Sequence, residues 1–258
     1  MITHNNTGNR LLAGAIFATT LGAGILAPSP ADAAPSTTAD AIRTLQIDAN
    51  QDLVPLGMPR LAVDGKLGAQ TLRAACAENW LTTGVATRST AAYTTTKINE
   101  LNNKDNMLNP YMSEHRTRIA NGFIVNKTCQ VMADTKNNRV IGLYPISTGI
   151  AGNETPNVLS KIFLARRGWH NSTKYPAEDG TNGNMNNPLY FYAGGIAIHG
   201  SRAMSSSSTT PKSHGCVRVT PEVSEKLFRK VRGNVNARQD AIVRVDPLPV
   251  AVIGKFGN

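Results

Sequence analysis

The sequence predicts a mainly β domain bearing one well-marked helix, preceded by a small α-helical module. Three observations predict it. Beyond Arg118 the apolar residues fall in short runs separated by Asn-, Gly- and Thr-rich stretches, the pattern of strands and turns. A single amphipathic stripe, Val223, Leu227 and Val231, interrupts that pattern. Ahead of it, residues 39–81 show helical spacing of apolar positions and no strand alternation.

Residues 1–33 are set apart before any fold is drawn. Arg10 precedes the apolar run Leu11 to Ala18, which continues in diluted form to Leu26-Ala27 and ends at the small-x-small site Ala31-Asp32-Ala33. That order is the layout of an export signal cleaved after Ala33, and it predicts a secreted protein of the cell wall or periplasm. Thr19, Thr20, Gly22 and Gly24 dilute the run below a comfortable bilayer span, so no stable membrane span is expected once the leader is removed. The chain carries 27 Lys and Arg against 17 Asp and Glu, a formal net charge of +10. Loss of the leader takes away one basic and one acidic residue and leaves the balance intact. Such a surface suits a polyanionic envelope. It does not suggest nucleic acid, because no basic run is interleaved with aromatic residues.

The first helix is expected from about Ala39, with Ile42, Leu45 and Ile47 as its apolar positions. A second should follow the turn Asp64-Gly65-Lys66-Leu67-Gly68, where Ala69 to Cys76 is rich in helix formers and free of Pro and Gly. Residues 39–81 resemble the small peptidoglycan-binding module found beside many wall enzymes: Asp64, Gly65, Leu67, Gly68, Thr71 and Ala74 keep its register, and Leu45-Gln46 stands where it has a Leu-Gln pair. The resemblance implies wall binding. Residues 82–117, opening with a Thr-, Ser-, Ala- and Gly-rich stretch, read as a linker.

The β-rich domain is placed at 118–247, with 248–258 as a tail. Strands are expected at Gly122–Val125, Cys129–Ala133, Arg139–Tyr144 after a Lys136-Asn137-Asn138 turn, Lys161–Leu164, Gly195–His199 and Ala241–Val245. Between Arg166 and Pro188 lies a long loop of the kind that covers a binding site. Thr220 caps the helix, Pro221 takes the position where no amide donor is needed, and Glu222 suits the positive end of the dipole.

Three cysteines remain after the leader, an odd number in a compartment where disulfides persist. Either Cys76 and Cys129 pair, leaving Cys216 free, or both are buried thiols. The chemistry-bearing stretch runs from Ile196 to Val219. A strand ends in His199-Gly200, 13 residues of loop separate His199 from Ser213, and then comes Ser213-His214-Gly215-Cys216-Val217-Arg218. Cysteine attacks as its thiolate, so it needs a proton acceptor, and either imidazole can serve. Glycine beside the nucleophile admits substrate to the backbone, and the amides of Gly215 and Cys216 can face a developing oxyanion. No carboxylate orienter lies near in sequence; the Gly200 carbonyl is the nearest group able to hold the His199 ring. Residue types alone would also let His199, His214 and Cys216 bind zinc. Nothing else argues for a metal, and no cofactor is expected. Tyr190 and Tyr192 line the cleft or pack the sheet.

Strand-His-Gly, a loop, then Ser-His-Gly-Cys-hydrophobic-Arg is similar to the signature of the L,D-transpeptidase catalytic domain, with Ser147-Thr148-Gly149 and Thr155-Pro156 resembling that family's upstream segment. The resemblance spans about Ile119 to Val245 and implies a β-sandwich with one helix after the catalytic cysteine. It implies Cys216 as nucleophile, His199 as proton donor and acceptor, and the amides around His214, Gly215 and Cys216 as the anion site. His214 then shapes the pocket or is the alternative base, Gly200 orients His199, and Ser213, Arg218 and Tyr190 contact substrate. The implied partners are stem peptides of the sacculus, with carbapenems as covalent inhibitors. Two departures stand out: Asn157 to Leu159 follow Thr-Pro without the usual glycine, and Arg218 stands where many members have Asn. The rival functions are an L,D-carboxypeptidase, with water as acceptor, and a wall-binding protein without catalysis.

Overall fold

The computed structural model describes residues 38–103, 121–177, 183–232 and 249–253. The leader, the later part of the expected linker, and the expected strand Ala241–Val245 lie outside the described residues.

The helical module comprises α1 (Thr38–Leu53), α2 (Ala69–Thr83) and α3 (Thr95–Asn102), with a short 3-10 turn at Thr90–Ala92. Residues 82–117 therefore hold more than a linker. Thr94 caps α3 by accepting from the Lys97 amide at 3.2 Å, and Ile98 and Leu101 bury against α1 and α2 beside Ile42, Leu45 and Leu72. Asn102 Nδ2 closes the contact on the Ala41 carbonyl at 3.0 Å. The Thr-, Ser-, Ala- and Gly-rich stretch reads as a linker; the apolar pair Ile98 and Leu101, three residues apart, supplies the buried helical face.

The residues resembling a wall-binding motif have an internal task. Gln46 Nε2 donates to Asp64 Oδ1 at 2.9 Å, to the Lys66 carbonyl at 3.1 Å and to Thr71 Oγ1 at 3.1 Å, while its Oε1 accepts from the Gly65 amide at 2.9 Å. One buried amide thus satisfies the turn that sets α2 against α1, meeting the demand that buried polar groups be paired.

Ten strands follow. β1 (Gly122–Asn126), β2 (Val131–Lys136), β3 (Arg139–Pro145), β4 (Val158–Lys161) and β10 (Pro249–Ile253) form one sheet in the order β3-β2-β1-β10-β4. β5 (Leu164–Ala165), β7 (Met185–Tyr192), β8 (Ile196–Gly200) and β9 (Val217–Val219) form the second in that order, and β6 (Trp169–His170) also pairs with β7. The expected tail therefore contributes a strand: β10 lies between β1, parallel to it, and β4, antiparallel. The expected strand at 161–164 is split, because Ile162 turns into the core while the chain passes from β4 in one sheet to β5 in the other.

Alternation along β1 to β3 assigns the core. Phe123, Val125, Met132 and Tyr144 point to the second sheet, meeting Leu189, Phe191, Ile198, Val217 and Val219 together with Leu227, Phe228 and Val231 of α4 (Pro221–Arg232). Ile124, Val131, Ala133 and Leu143 point the other way, into Leu53, Leu61, Cys76, Ala77 and Trp80 of the helical module. Strands covered on both faces lose the apolar-polar alternation, which is why Phe123-Ile124-Val125 reads as one continuous apolar run. A disulfide between Cys76 on α2 and Cys129 in the β1–β2 turn crosses this second layer.

Candidate active site

The site forms where β8 and β9 run side by side. Parallel pairing sets His199 opposite Arg218 and Ile198 opposite Val217, so Cys216, immediately before β9, arrives beside the end of β8. His199, His214, Cys216, Ser213 and Arg218 all line one cleft of about 690 Å³. Lys174, Tyr175, Ser201 and Arg202 complete its walls. Among the described residues that line it, Lys174, Arg202 and Arg218 are cationic and none is a carboxylate.

His199 is buried, at 4% exposure, and its Nδ1 donates to the Gly200 carbonyl at 2.9 Å. That bond leaves Nε2 of the neutral ring as the proton acceptor. Burial, opposed by this hydrogen bond and aided by the Arg218 charge, lowers the imidazole pKa to about 4. Gly200 must be glycine for packing as well: a Cβ there would meet Ser224 Oγ at 2.5 Å and Pro221 Cα at 3.0 Å, where α4 begins.

Cys216 is the free thiol among the described residues and is partly exposed. Its Sγ lies 3.9 Å from the Gly195 carbonyl. Burial pushes the thiol up, while the Ala197 amide and the Arg218 charge pull it down. Both shifts favour the neutral forms of thiol and imidazole.

Backbone around Cys216 is tightly held. Ser213 Oγ donates to the Cys216 carbonyl at 2.5 Å and accepts from the Gly215 amide at 3.2 Å. The Gly215 amide, expected as an oxyanion donor, is therefore engaged within its own turn, and Gly215 takes φ +117°, a conformation suited to glycine. Ser147 pairs with Arg218 through both main-chain groups at 2.8 and 2.9 Å, and the Thr148 carbonyl accepts from the amides of Lys212 and Ser213 at 3.0 Å. Thr155 Oγ1 accepts from the Gly149 amide at 3.0 Å. The Ser-Thr-Gly and Thr-Pro segments thus scaffold the turn that carries Cys216. Arg218 itself spends a guanidinium donor on the Lys212 carbonyl at 3.0 Å, holding the same turn.

His214 stacks on Tyr175, ring centroids 4.2 Å apart and 14° from coplanar, and Lys174 lies 5.3 Å from the Tyr175 centroid. Its place is on the cleft wall. Tyr190 is half-buried beneath Arg166 and does not line the cleft. Among the described residues no three His, Cys, Asp or Glu side chains converge as metal ligands. Lys174 and Tyr175, between β6 and β7, and Arg202, just after β8, carry no sequence signal, since nothing in a loop tells which side chains return to a cleft; the Ala197 amide is missed too, being a main-chain feature of β8.

The model of the L,D-transpeptidase catalytic domain, the YkuD family, matches residues 120–250, half of the chain. The chain belongs to this L,D-transpeptidase family. No curated protein sequence matches it. Among solved structures, an L,D-transpeptidase of Xylanimonas cellulosilytica shares 24% identity over 81% of this chain and 92% of its own, with a TM-score of 0.44. One from Stackebrandtia nassauensis shares 18% over 83% and 91%, with a TM-score of 0.45. A third L,D-transpeptidase, solved in complex with imipenem, shares 19% over 52% and 59%, with a TM-score of 0.41. The His199, Ser213 and Cys216 constellation lies inside the L,D-transpeptidase match; α1 to α3 lie outside it.

Proposed function

We propose that this chain is an exported peptidoglycan L,D-transpeptidase that forms crosslinks between the third residues of neighbouring stems. The observation that carries the proposal is a free thiol sharing a cleft with an imidazole whose Nδ1 is committed to the Gly200 carbonyl. Cys216 Sγ attacks the carbonyl of the third residue of a donor tetrapeptide, and its proton passes to His199 Nε2. The tetrahedral oxyanion is received by amides at the nucleophile turn, those of His214 and Cys216 being the candidates once Gly215 is engaged. Collapse breaks the bond to the terminal D-alanine, whose amine takes the proton from His199, and leaves a thioester. An amine of a second stem then attacks the thioester, gives its proton to His199, and restores the thiol. The acyl group moves at no cost in ATP, in keeping with a chain whose first 33 residues have the layout of an export signal. The helical module serves as a wall-binding element in the same reading.

Incubation with a defined tetrapeptide stem and an added amine tests this directly. Crosslinked product and free D-alanine are expected from wild type and neither from Cys216→Ala; D-alanine with no crosslink would instead assign a carboxypeptidase. Imipenem should leave one covalent adduct on intact wild type and none on Cys216→Ala, and an equal adduct on both would sink the assignment of the nucleophile.

A further inference from the structure

The loop from Ser201 to Lys212 contributes to the cleft at both ends: Ser201, Arg202 and Ala203 form one wall, and the loop delivers Ser213 and His214 to the nucleophile turn. Its middle, Ser205-Ser206-Ser207-Ser208-Thr209-Thr210, has no apolar side chain with which to anchor itself. The helical module anchors it. Arg73 of α2 is fully buried, at 0% exposure, and donates through Nη2 to the Ser206 carbonyl at 2.8 Å and through Nη1 to the Ser208 carbonyl. Arg88 donates through Nη1 to the Thr209 carbonyl.

Among the described residues no salt bridge reaches either arginine. The two guanidinium charges therefore rest on loop carbonyls, and burial lowers Arg73 to about 10, still charged at neutral pH. A buried cation without an ion pair is a poor way to stabilise a fold, since apolar replacements of such groups are often neutral or better. What the arrangement supplies is a fixed position for three carbonyls of one loop, those of Ser206, Ser208 and Thr209. Three residues beyond Arg73, Cys76 ties α2 to the sheet through Cys129, so the anchor is itself covalently held.

We propose that Arg73 and Arg88 are positioning residues for the active site, acting from the helical module through the 201–212 loop on Ser213 and the nucleophile turn. The inference rests on Cys216 and His199 being the reacting pair, and it makes the module part of the machinery as well as an attachment to the wall.

The test uses the full chain and the variants Arg73→Met, Arg73→Lys and Arg88→Gln. Alkylation of Cys216 by iodoacetamide, followed by intact mass across pH 5–9, reads the thiol without any assumption about substrate. Amide exchange at 205–213 reads the loop. Expected are faster exchange in that segment, an altered pH profile of alkylation, and stem-peptide turnover reduced about ten-fold or more in kcat with KM little changed. Arg73→Lys should recover part of each. A folded Arg73→Met with wild-type exchange, alkylation profile and kcat overturns the proposal. If Arg73→Met fails to fold, Arg88→Gln decides by the same readouts. Absence of turnover in wild type with an intact alkylation difference would count against the transpeptidase reading alone.

Discussion

Locking Nδ1 of His199 onto the Gly200 carbonyl settles which ring nitrogen faces the cleft, and burial decides how readily it charges. Because the native pKa lies near 4, below the ordinary 6.5, the unfolded chain takes up a proton at this residue before the native one does. Native stability is unaffected above the unfolded value and is lost as pH falls from 6.5 towards 4. At pH 4.5 the loss is about 2–3 kcal/mol relative to neutral pH. Burial also raises the Asp134 carboxyl, so the comparison is with His199→Gln: urea unfolding at pH 7 and 4.5 should show wild type losing more than the variant. Equal losses would remove the burial argument. Cys216 and His199 stand out in the sequence as a candidate pair because of their neighbours, Gly200 and Ser213 included. Sequence could not foresee that the Gly215 amide is spent on Ser213 Oγ, because hydrogen-bond partners within a turn depend on backbone angles that residue identity leaves open.

Strands with plain turn punctuation were legible. Asn137 and Asn138 adopt φ of +52° and +60°, the hairpin geometry that an Asn pair favours, and β2 and β3 flank them as expected. β7 was not legible as a strand, because Pro188 removes a donor and Asn187 takes φ +46°, with the register shifting between Asn186 and Leu189. α3 was read as linker for want of a long stripe, and β10 as tail because its partners are distant in sequence. The Cys76–Cys129 disulfide, left open by the sequence, closes a separation of 53 residues, worth about 4 kcal/mol by chain-entropy reasoning. Cys76→Ala with Cys129→Ala should therefore lower unfolding stability by about 2–5 kcal/mol in denaturant titration, while Cys216 keeps reacting with one equivalent of thiol reagent. A stability change below about 0.5 kcal/mol would mean that α2 is held by packing alone.

At the scale of the molecule, the helical module and the β domain are less separable than the sequence suggests. The outer face of β1 to β3 has its cover in α1 and α2, and the Leu143 amide even donates to the Leu56 carbonyl at 2.8 Å. Uncovering Ile124, Val131 and Leu143 forfeits about 1.5–3 kcal/mol each, together comparable with the roughly 5–15 kcal/mol that holds an ordinary domain folded. A chain starting at residue 104 should accordingly aggregate or lose near-ultraviolet circular dichroism, although it retains most of the matched catalytic region. A monomeric, cooperatively melting fragment would show the two parts to be independent after all.

The central strand β10 pairs Phe123 with Val250 and Val252 with Val158, joining the oldest and youngest parts of the β domain as the polypeptide is made. Until that last segment emerges, β1 and β4 each present an open ladder edge, inviting pairing with another nascent copy. Refolding at rising protein concentration would feel this hazard first, and a chaperone that shields strand edges would relieve it.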